Sequence, residues 1–133
     1  MKHITEEPID IEKLMREAHH PEAGAVVIFS GEARNTHAGR KVARLEYEAQ
    51  QELAEKSIEE ILWNAQSRWP LKIAIAVHRL GKVEISQPAV VVITAAAHRL
   101  EAYEANFFIM DEIKSKPPIW KKEFFEDGES SWG

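Results

Sequence analysis

The proline pair Pro117-Pro118 constrains the fold most, because it ends a helix that the preceding residues strongly predict. Upstream of the pair, apolar residues recur at spacings of three and four and form one stripe of an amphipathic helix: Leu100, Tyr103, Phe107, Met110 and Ile113. Proline pushes the residue before it out of the α region, so we expect the helix to end near Ser115 or Lys116. The segment IWKKEFF should then continue as a short extended segment.

Cations cluster at both ends of this predicted helix, although the chain carries a formal net charge of -5. His98 and Arg99 stand at its start, and Lys114, Lys116, Lys121 and Lys122 stand at or beyond its end. Lysines in the last turn of a helix complement its dipole, so spacing alone favours a solvated structural face. A functional interpretation of the cluster needs further residues.

Size and composition indicate one ordinary globular domain over residues 1–133. The 133 residues are 44% hydrophobic and 29% charged, which is enough apolar material for a real core. Cysteine is absent, which excludes disulfides, thiolate metal sites and a cysteine nucleophile. Any sulfur that this protein handles must therefore come from another molecule.

Several classes of function are disfavoured by what the sequence lacks. The N-terminal residues resemble neither a signal peptide nor a transit peptide, and no apolar run is long enough to span a membrane, so we expect a cytoplasmic protein. A pI near 5.7 argues against a broad basic surface for nucleic acid. The six histidines form no HExxH or paired metal-binding spacing, so no metal site is expected.

The first half of the chain predicts two short elements, two strands and a helix. KHIT predicts a short strand, and IDIEKLMREA predicts a short helix capped by Asp10. GAVVIFSGEAR and KVARLEYEA predict two strands that form a hairpin around the turn NTHAGR. QQELAEKSIEEILWNAQSRW predicts the longest helix, which Pro70 ends, with a buried side made of Leu53, Ile58, Ile61, Leu62 and Ala65.

The second half adds two strands, LKIAIAVHRL and PAVVVITAAAH, which are apolar enough to be largely buried and are joined by the connector GKVEISQ. Helices thus fall between strand pairs, and hairpin-length links fall inside the pairs. This order indicates an α+β fold in which helices pack on a mixed or antiparallel sheet.

Arg34 lies where a predicted strand runs into a turn, a position from which a guanidinium can reach a ligand. Alone, it is more simply a structural residue. Together with Arg99, Lys114 and Lys121 it forms a set of cations suited to a phosphorylated small molecule, because guanidinium and ammonium groups are the usual phosphate partners.

Seven blocks along nearly the whole chain carry a family resemblance. They are ITEEPID, PEAGAVVIFSGEAR, the turn ending in GR, LEYEA, HRLG, the strand ending in HR, and PPIWKKE. In this order they resemble the large, catalytic subunit of molybdopterin synthase. The resemblance implies an α/β-hammerhead-like fold. It also implies a sulfur transferase of molybdenum cofactor biosynthesis, which converts cyclic pyranopterin monophosphate to molybdopterin by forming its dithiolene.

The resemblance further implies a partner and a site. Sulfur would arrive on a small ubiquitin-like carrier whose C-terminal Gly-Gly ends in a thiocarboxylate, which suits a chain without cysteine. Lys114 and Lys121 would be the catalytic lysines. The substrate would be bound by Phe29, Glu32, Ala33, Arg34, His98, Arg99, Lys122 and Glu123. No metal and no other cofactor is implied.

The chemistry and the spacing leave alternatives open. Strand alternation puts Lys121 and Lys122 on opposite faces, so at most one of them should share a pocket with Lys114. Two other functions stay in view: a non-catalytic subunit that only binds the ubiquitin-like tail, and an unrelated enzyme or binder for a phosphorylated metabolite. Retention of both Lys114 and Lys121 argues against the first, and the second predicts activity without any protein sulfur donor.

Helix geometry predicts how the chain assembles. Arg99 and Lys114 are 15 residues apart, which places them about 22 Å from each other along one helix. One small pterin cannot span that distance. If both ends belong to one site, His98 and Arg99 must come from a second copy, which predicts a homodimer with shared sites and, with one small partner per chain, a heterotetramer. Otherwise His98 and Arg99 are local groups at a helix start.

Overall fold

The computed structural model describes residues 2–133, which form nine strands and three helices. In chain order they are β1 (Ile4–Thr5), α1 (Ile11–Arg16), β2 (Ala25–Glu32), β3 (Thr36–His37), β4 (Arg40–Ala49), α2 (Gln51–Arg68), β5 (Leu71–Arg79), β6 (Gly81–Glu84), β7 (Pro88–Ala96), α3 (Arg99–Ser115), β8 (Ile119–Phe125) and β9 (Ser130–Trp132). The predicted α+β fold is confirmed.

The first sheet has the order β1-β5-β7-β2, with β1 parallel to β5 and the other neighbours antiparallel. Helix α1 covers one face, where Leu14 packs with Val91 and Ile93. Helices α2 and α3 cover the other face, where Ile58 and Ile109 join a core cluster that includes Val92. Because β7 is buried on both faces, its side chains are apolar at successive positions rather than at alternate ones.

The second sheet has the order β3-β4-β8-β9, with β6 also paired to β4. Strands β4 and β8 run antiparallel, and Tyr47 lies opposite Lys121 while Leu45 lies opposite Glu123. A smaller core cluster, which includes Val42, Val83 and Phe125, fills the space beneath this sheet. Tyr47, Lys121 and Glu123 lie on the β4–β8 pair.

The predicted hairpin between β2 and β4 is wrong. Strand β2 pairs with β7, whose long apolar edge is available, and β4 pairs with β6 and β8 in the other sheet. The segment NTHAGR instead contains its own small hairpin, β3 with the start of β4, which turns at Ala38 (φ 51) and Gly39 (φ 78). Two consecutive residues with positive φ are typical of a tight two-residue hairpin turn. The connector GKVEISQ likewise contains a strand, β6.

The helix boundaries follow the predicted signals. Asp10 caps α1 by accepting a hydrogen bond from the Lys13 N–H, and α2 ends at Arg68, before Pro70. One residue of the predicted buried side of α2 is misplaced: Leu53 is 56% exposed, and the buried stripe begins at Ala54 instead. Within residues 2–133, no helix combines the length and the apolar character needed to cross a membrane.

Helix α3 ends at Ser115 as the proline pair predicts. Met110 and Ile113 of the predicted stripe pack against the core, but the other buried residues of the helix lie outside that stripe. Its buried residues are Ala102, Ala105, Asn106, Ile109 and Ile113, whereas Leu100, Tyr103 and Phe107 are 65%, 62% and 74% exposed. The two alanines let the helix approach β7 and β2 closely. The large apolar side chains therefore lie along the outer flank of the helix, next to β2, which is an edge strand of the first sheet.

Candidate functional site

A small polar cavity lies between the end of β2, the β3–β4 hairpin and the β4–β8 pair. We call it the polar cavity; its volume is about 150 Å³, and it is lined by Glu32, Arg34, Thr36, His37, Leu45, Tyr47, Lys121 and Glu123. Side chains alternate along β8, so Lys121 and Glu123 share one face and lie opposite Tyr47 and Leu45 of β4. An arginine and a lysine thus line the cavity: Arg34 from the segment that follows β2, and Lys121 from β8.

Lys122 lies on the other face of β8, as strand alternation predicts. Its ammonium is 5.1 Å from the ring centroid of Phe124 and 5.3 Å from that of Trp132, distances at which cation–π attraction operates. The structure therefore brings Lys121 into the polar cavity and does not bring Lys122 there.

Glu123 is a buried carboxylate, only 5% exposed, and it has a histidine partner. Its two oxygens lie 2.6 and 2.7 Å from Nδ1 of His37, which comes from the β3–β4 hairpin. Burying a carboxylate costs free energy unless it is paired. The contact with His37 therefore offsets much of the cost of burying Glu123. No spacing in the sequence links these residues, and in the sequence His37 stands only within the predicted turn NTHAGR.

Tyr47 is a second residue of the cavity that no sequence pattern singles out. Burial, together with the nearby charge of Glu123, raises the pKa of its phenol to about 12. The phenol therefore remains a neutral hydrogen-bond donor across the physiological range. On its other side the Tyr47 ring meets His78 edge-on, with the ring centroids 4.8 Å apart, and burial lowers the pKa of His78. The strand register Tyr47↔Lys121 could have been found only once β4 and β8 were known to pair.

The end of β2 is fixed by its backbone, which positions Arg34. Ala33 is 4% exposed; its N–H donates to the Gln87 carbonyl, and its carbonyl accepts from the Ser86 N–H. Arg34 follows at once and lines the polar cavity. The predicted location of Arg34, at the point where a strand becomes a turn, is confirmed.

A second, larger concavity runs between the edge strand β2 and helix α3. We call it the apolar groove; it has a volume of about 440 Å³ and is lined by Val27, Ile28, Phe29, Tyr103, Asn106, Phe107, Met110, Asp111 and Lys114. The groove is mainly aromatic and aliphatic, and among residues 2–133 the one cation that lines it is Lys114, near the end of α3. Phe29, predicted as a binding residue, lies in this groove.

The two concavities are neighbours along β2. Phe29 of the apolar groove and Glu32 of the polar cavity are three residues apart on β2, about 10 Å for an extended chain. Lys114 and Lys121 therefore border adjoining spaces. His98 and Arg99 lie at the far end of α3, about 22 Å from Lys114 along the helix axis, and a single chain does not bring them to either space.

Comparison with known proteins gives consistent matches. The model of the MoaE protein family matches residues 4–116. The molybdopterin synthase catalytic subunit of Halalkalibacterium halodurans is 40% identical over 126 residues, which is 95% of this chain and 81% of that protein. The crystal structure of molybdopterin synthase from Staphylococcus aureus matches with a TM-score of 0.92 and 40% identity, covering 99% of this chain and 96% of that one.

A more distant structure shares the fold. It is the complex of subunits 1 and 2 of molybdopterin-converting factor from Helicobacter pylori, which is 21% identical and matches with a TM-score of 0.79, covering 98% of this chain and 88% of that chain. The family match covers most of the residues, and the two matches at 40% identity cover 95% and 99% of this chain, so the resemblance carried by the seven sequence blocks is confirmed. The chain belongs to the MoaE protein family, and its relative from Halalkalibacterium halodurans is a molybdopterin synthase catalytic subunit.

Proposed function

We propose that this chain is the catalytic subunit of a molybdopterin synthase, a transferase that converts cyclic pyranopterin monophosphate to molybdopterin by adding the two dithiolene sulfurs. The observation that carries the proposal is the placement of Lys121 and Arg34 around one polar cavity, in a chain that is 40% identical to a named catalytic subunit. The cavity offers the cations that a phosphorylated, increasingly anionic substrate needs.

The residues divide the chemistry as follows. Arg34 and Lys121 attract the phosphate and the negative charge that develops when a thiocarboxylate attacks the pterin. Lys114 approaches the same substrate from the apolar groove, whose Phe29 packs against the flat pterin ring. Tyr47 donates a hydrogen bond as a neutral phenol. The polar cavity alone, at about 150 Å³, is smaller than the roughly 300 Å³ at which small-molecule sites begin, so further walls are required.

The sulfur donor is a small ubiquitin-like partner whose C-terminal Gly-Gly ends in a thiocarboxylate. Two observations support a separate donor: the chain contains no cysteine, and subunits 1 and 2 of the Helicobacter pylori converting factor form a complex. The extended tail of the partner enters by main-chain hydrogen bonding toward Lys121 and Lys114, where only glycine leaves enough room.

A second copy of the chain supplies the missing wall, in a homodimer that becomes a heterotetramer when one small partner binds each chain. Leu100, Tyr103 and Phe107 form an exposed apolar strip on α3, beside β2, whose outer edge pairs with no strand among residues 2–133. Exposed strips and free sheet edges of this kind are typical of interfaces. Phe107 lies at the middle of Arg99–Ser115, so two α3 helices packed antiparallel about it would bring His98 and Arg99 of one copy to Lys114 of the other.

Reconstitution tests this function. The chain is mixed with the thiocarboxylated partner and cyclic pyranopterin monophosphate, and the dithiolene product is measured. We expect product with the intact partner and none when its last two glycines are removed. Product formation by the truncated partner would show that the tail is not the donor. Absence of product with the intact partner, despite a stable complex, would show that the chain binds the partner without catalysing sulfur transfer.

A further inference from the structure

We propose that His37 is the general acid–base residue of the hydrolytic step and that Glu123 orients it, an inference that rests on the proposed function. The family resemblance implies that Glu123 binds substrate, and it implies no role for His37. The geometry of this chain instead joins the two residues in a dyad at the wall of the polar cavity.

The dyad fixes which nitrogen of His37 exchanges protons. A carboxylate only accepts hydrogen bonds, so the Nδ1 that lies 2.6 and 2.7 Å from the Glu123 oxygens carries a proton. Proton exchange is then left to Nε2, which has no hydrogen-bond partner among residues 2–133. The His37 side chain is 48% exposed, whereas that of Glu123 is 7% exposed, so the ring reaches solvent while its anchor stays buried. This is the arrangement by which a buried carboxylate orients a catalytic imidazole.

The other charged and titratable groups around the cavity leave few candidates for a base. They are Arg34 and Glu32 from the end of β2, Arg40 opposite His37 on β4, Tyr47 on β4, and Lys121 and Glu123 on β8. Arginine is always protonated, Tyr47 is held neutral, and Glu123 is engaged by His37. Lys121 is assigned to the negative charge of the substrate in the proposed function, which leaves Glu32 as the rival for the base. Glu32 accepts a hydrogen bond from the Ser30 hydroxyl at the exposed end of β2.

The step that needs this base is the cleavage of the acyl link between the partner and the pterin sulfur. Nε2 of His37 takes a proton from water, and the water oxygen bonds to the acyl carbon. The carbon–sulfur bond then breaks, so the sulfur stays on the pterin as a thiolate and the partner leaves with a C-terminal carboxylic acid, which loses its proton to solvent and becomes a carboxylate. The imidazolium, stabilised by Glu123, returns its proton to solvent. No oxidant or reductant is required.

The test compares His37→Gln with His37→Ala and Glu32→Gln in single-turnover reactions with the thiocarboxylated partner. Samples quenched in acid are analysed by mass spectrometry for the covalent partner–pterin adduct. We expect His37→Gln, which keeps an N–H donor for Glu123, to consume thiocarboxylate at the normal rate but to hydrolyse the adduct about 10²-fold more slowly or worse. Added imidazole should restore part of the hydrolysis in His37→Ala, since the site is half open to solvent.

His19→Gln is the matched control, because His19 is exposed and follows α1 on the other side of the first sheet. Normal hydrolysis in His37→Gln would show that His37 only holds Glu123 and would overturn the inference. An adduct that accumulates in Glu32→Gln and not in His37→Gln would assign the base to Glu32 and also overturn it. If the unsubstituted chain makes no dithiolene, the proposed function fails; if it does and His37→Gln equals it, only this inference fails.

Discussion

The polar cavity and the apolar groove adjoin along β2, but their side chains differ in how far a single chain pairs and covers them. In the polar cavity the buried Glu123 is paired with His37, and strand register places Lys121 opposite Tyr47. In the apolar groove Tyr103 and Phe107 remain 62% and 74% exposed, with no side chain of residues 2–133 covering them. The side chains around Lys121 are thus held in place within one chain, whereas those beside Lys114 leave an exposed apolar surface.

Lys121→Ala breaks the polar half and should have the largest effect. Product formation should fall to background, a loss of at least about 10²–10³-fold, because the group that neutralises developing charge is gone. The fold should stay intact, since a partly exposed lysine on a strand contributes little to stability. Lys114→Ala, on the groove side, should also be severe. Dithiolene formation and thermal unfolding are measured together.

Lys56→Ala, on the exposed side of α2, provides the control for loss of a surface cation. Near-normal turnover of Lys121→Ala would remove the proposed mechanism.

Phe107→Asp breaks the groove half at the level of assembly. A charge at the centre of the exposed α3 strip should weaken dimerisation by at least about 2 kcal/mol, or roughly 30-fold, the scale of a central aromatic anchor. Sedimentation velocity should show monomers at concentrations where the unsubstituted chain is a dimer. Trp63→Asp, which alters another exposed aromatic residue, 72% exposed on α2, should leave the dimer unchanged. An unaffected dimer in Phe107→Asp would place the interface elsewhere.

The sequence predicted the elements of the fold better than their partners. Strand β7 is a continuous apolar run because both of its faces are buried, and α3 ends where Pro117 and Pro118 require it to end. The pairing of β2 with β7 could not be read, because alternation identifies a strand but carries no information about a distant neighbour.

Helix α3 shows a second limit of periodicity. Its sequence contains two adjacent apolar stripes, and the pattern does not say which one faces the chain's own sheet. The structure selects the stripe with Ala102 and Ala105, which permits close packing, and leaves the larger Tyr103 and Phe107 outside.

The candidate site divides in the same way. Local patterns predict that Arg34 lies at a strand end and that Lys121 and Lys122 lie on opposite faces of β8. The contact between His37 and Glu123 joins residues that are 86 positions apart, and no spacing rule could reveal it. The roles of Lys114, Lys121 and the binding residues rest on the family resemblance and stay predictions.

Asn106→Ala tests the hydrogen bonds that hold helix α3 against the strands at the apolar groove. Asn106 is 5% exposed, and its side-chain amide donates to the backbone carbonyls of Val27 and Val92 at 3.1 and 3.0 Å. Loss of a buried donor that joins α3 to two strands should lower the free energy of unfolding by about 1–3 kcal/mol in urea. Asn64→Ala, exposed on α2, should change it little. An equally small change for Asn106→Ala would mean that the groove is not held by this contact.

The smallest expected effect is spectroscopic and concerns Tyr47. Its pKa is raised from 10.0 to about 12, so the neutral phenol is favoured in the folded chain, and the stability this contributes is present below pH 10 and lost as pH rises toward 12. An absorbance titration of tyrosinate should lose a transition near pH 12 in Tyr47→Phe. Tyr103→Phe, at an exposed position, should retain that transition. Ionisation of Tyr47 near pH 10 would contradict its burial beside Glu123.

Subunit complementation tests whether two copies share each site. An Arg99→Ala chain and a Lys121→Ala chain, each inactive alone, are mixed and allowed to exchange subunits, with exchange proven by mass spectrometry of the mixed dimers. In a mixed dimer, one site contains both defects and the other contains neither. We therefore predict that each mixed dimer regains one active site of its two. No recovery of dithiolene formation in proven mixed dimers would show that Arg99 and Lys121 act within one chain, and would contradict the proposal that two copies share each site.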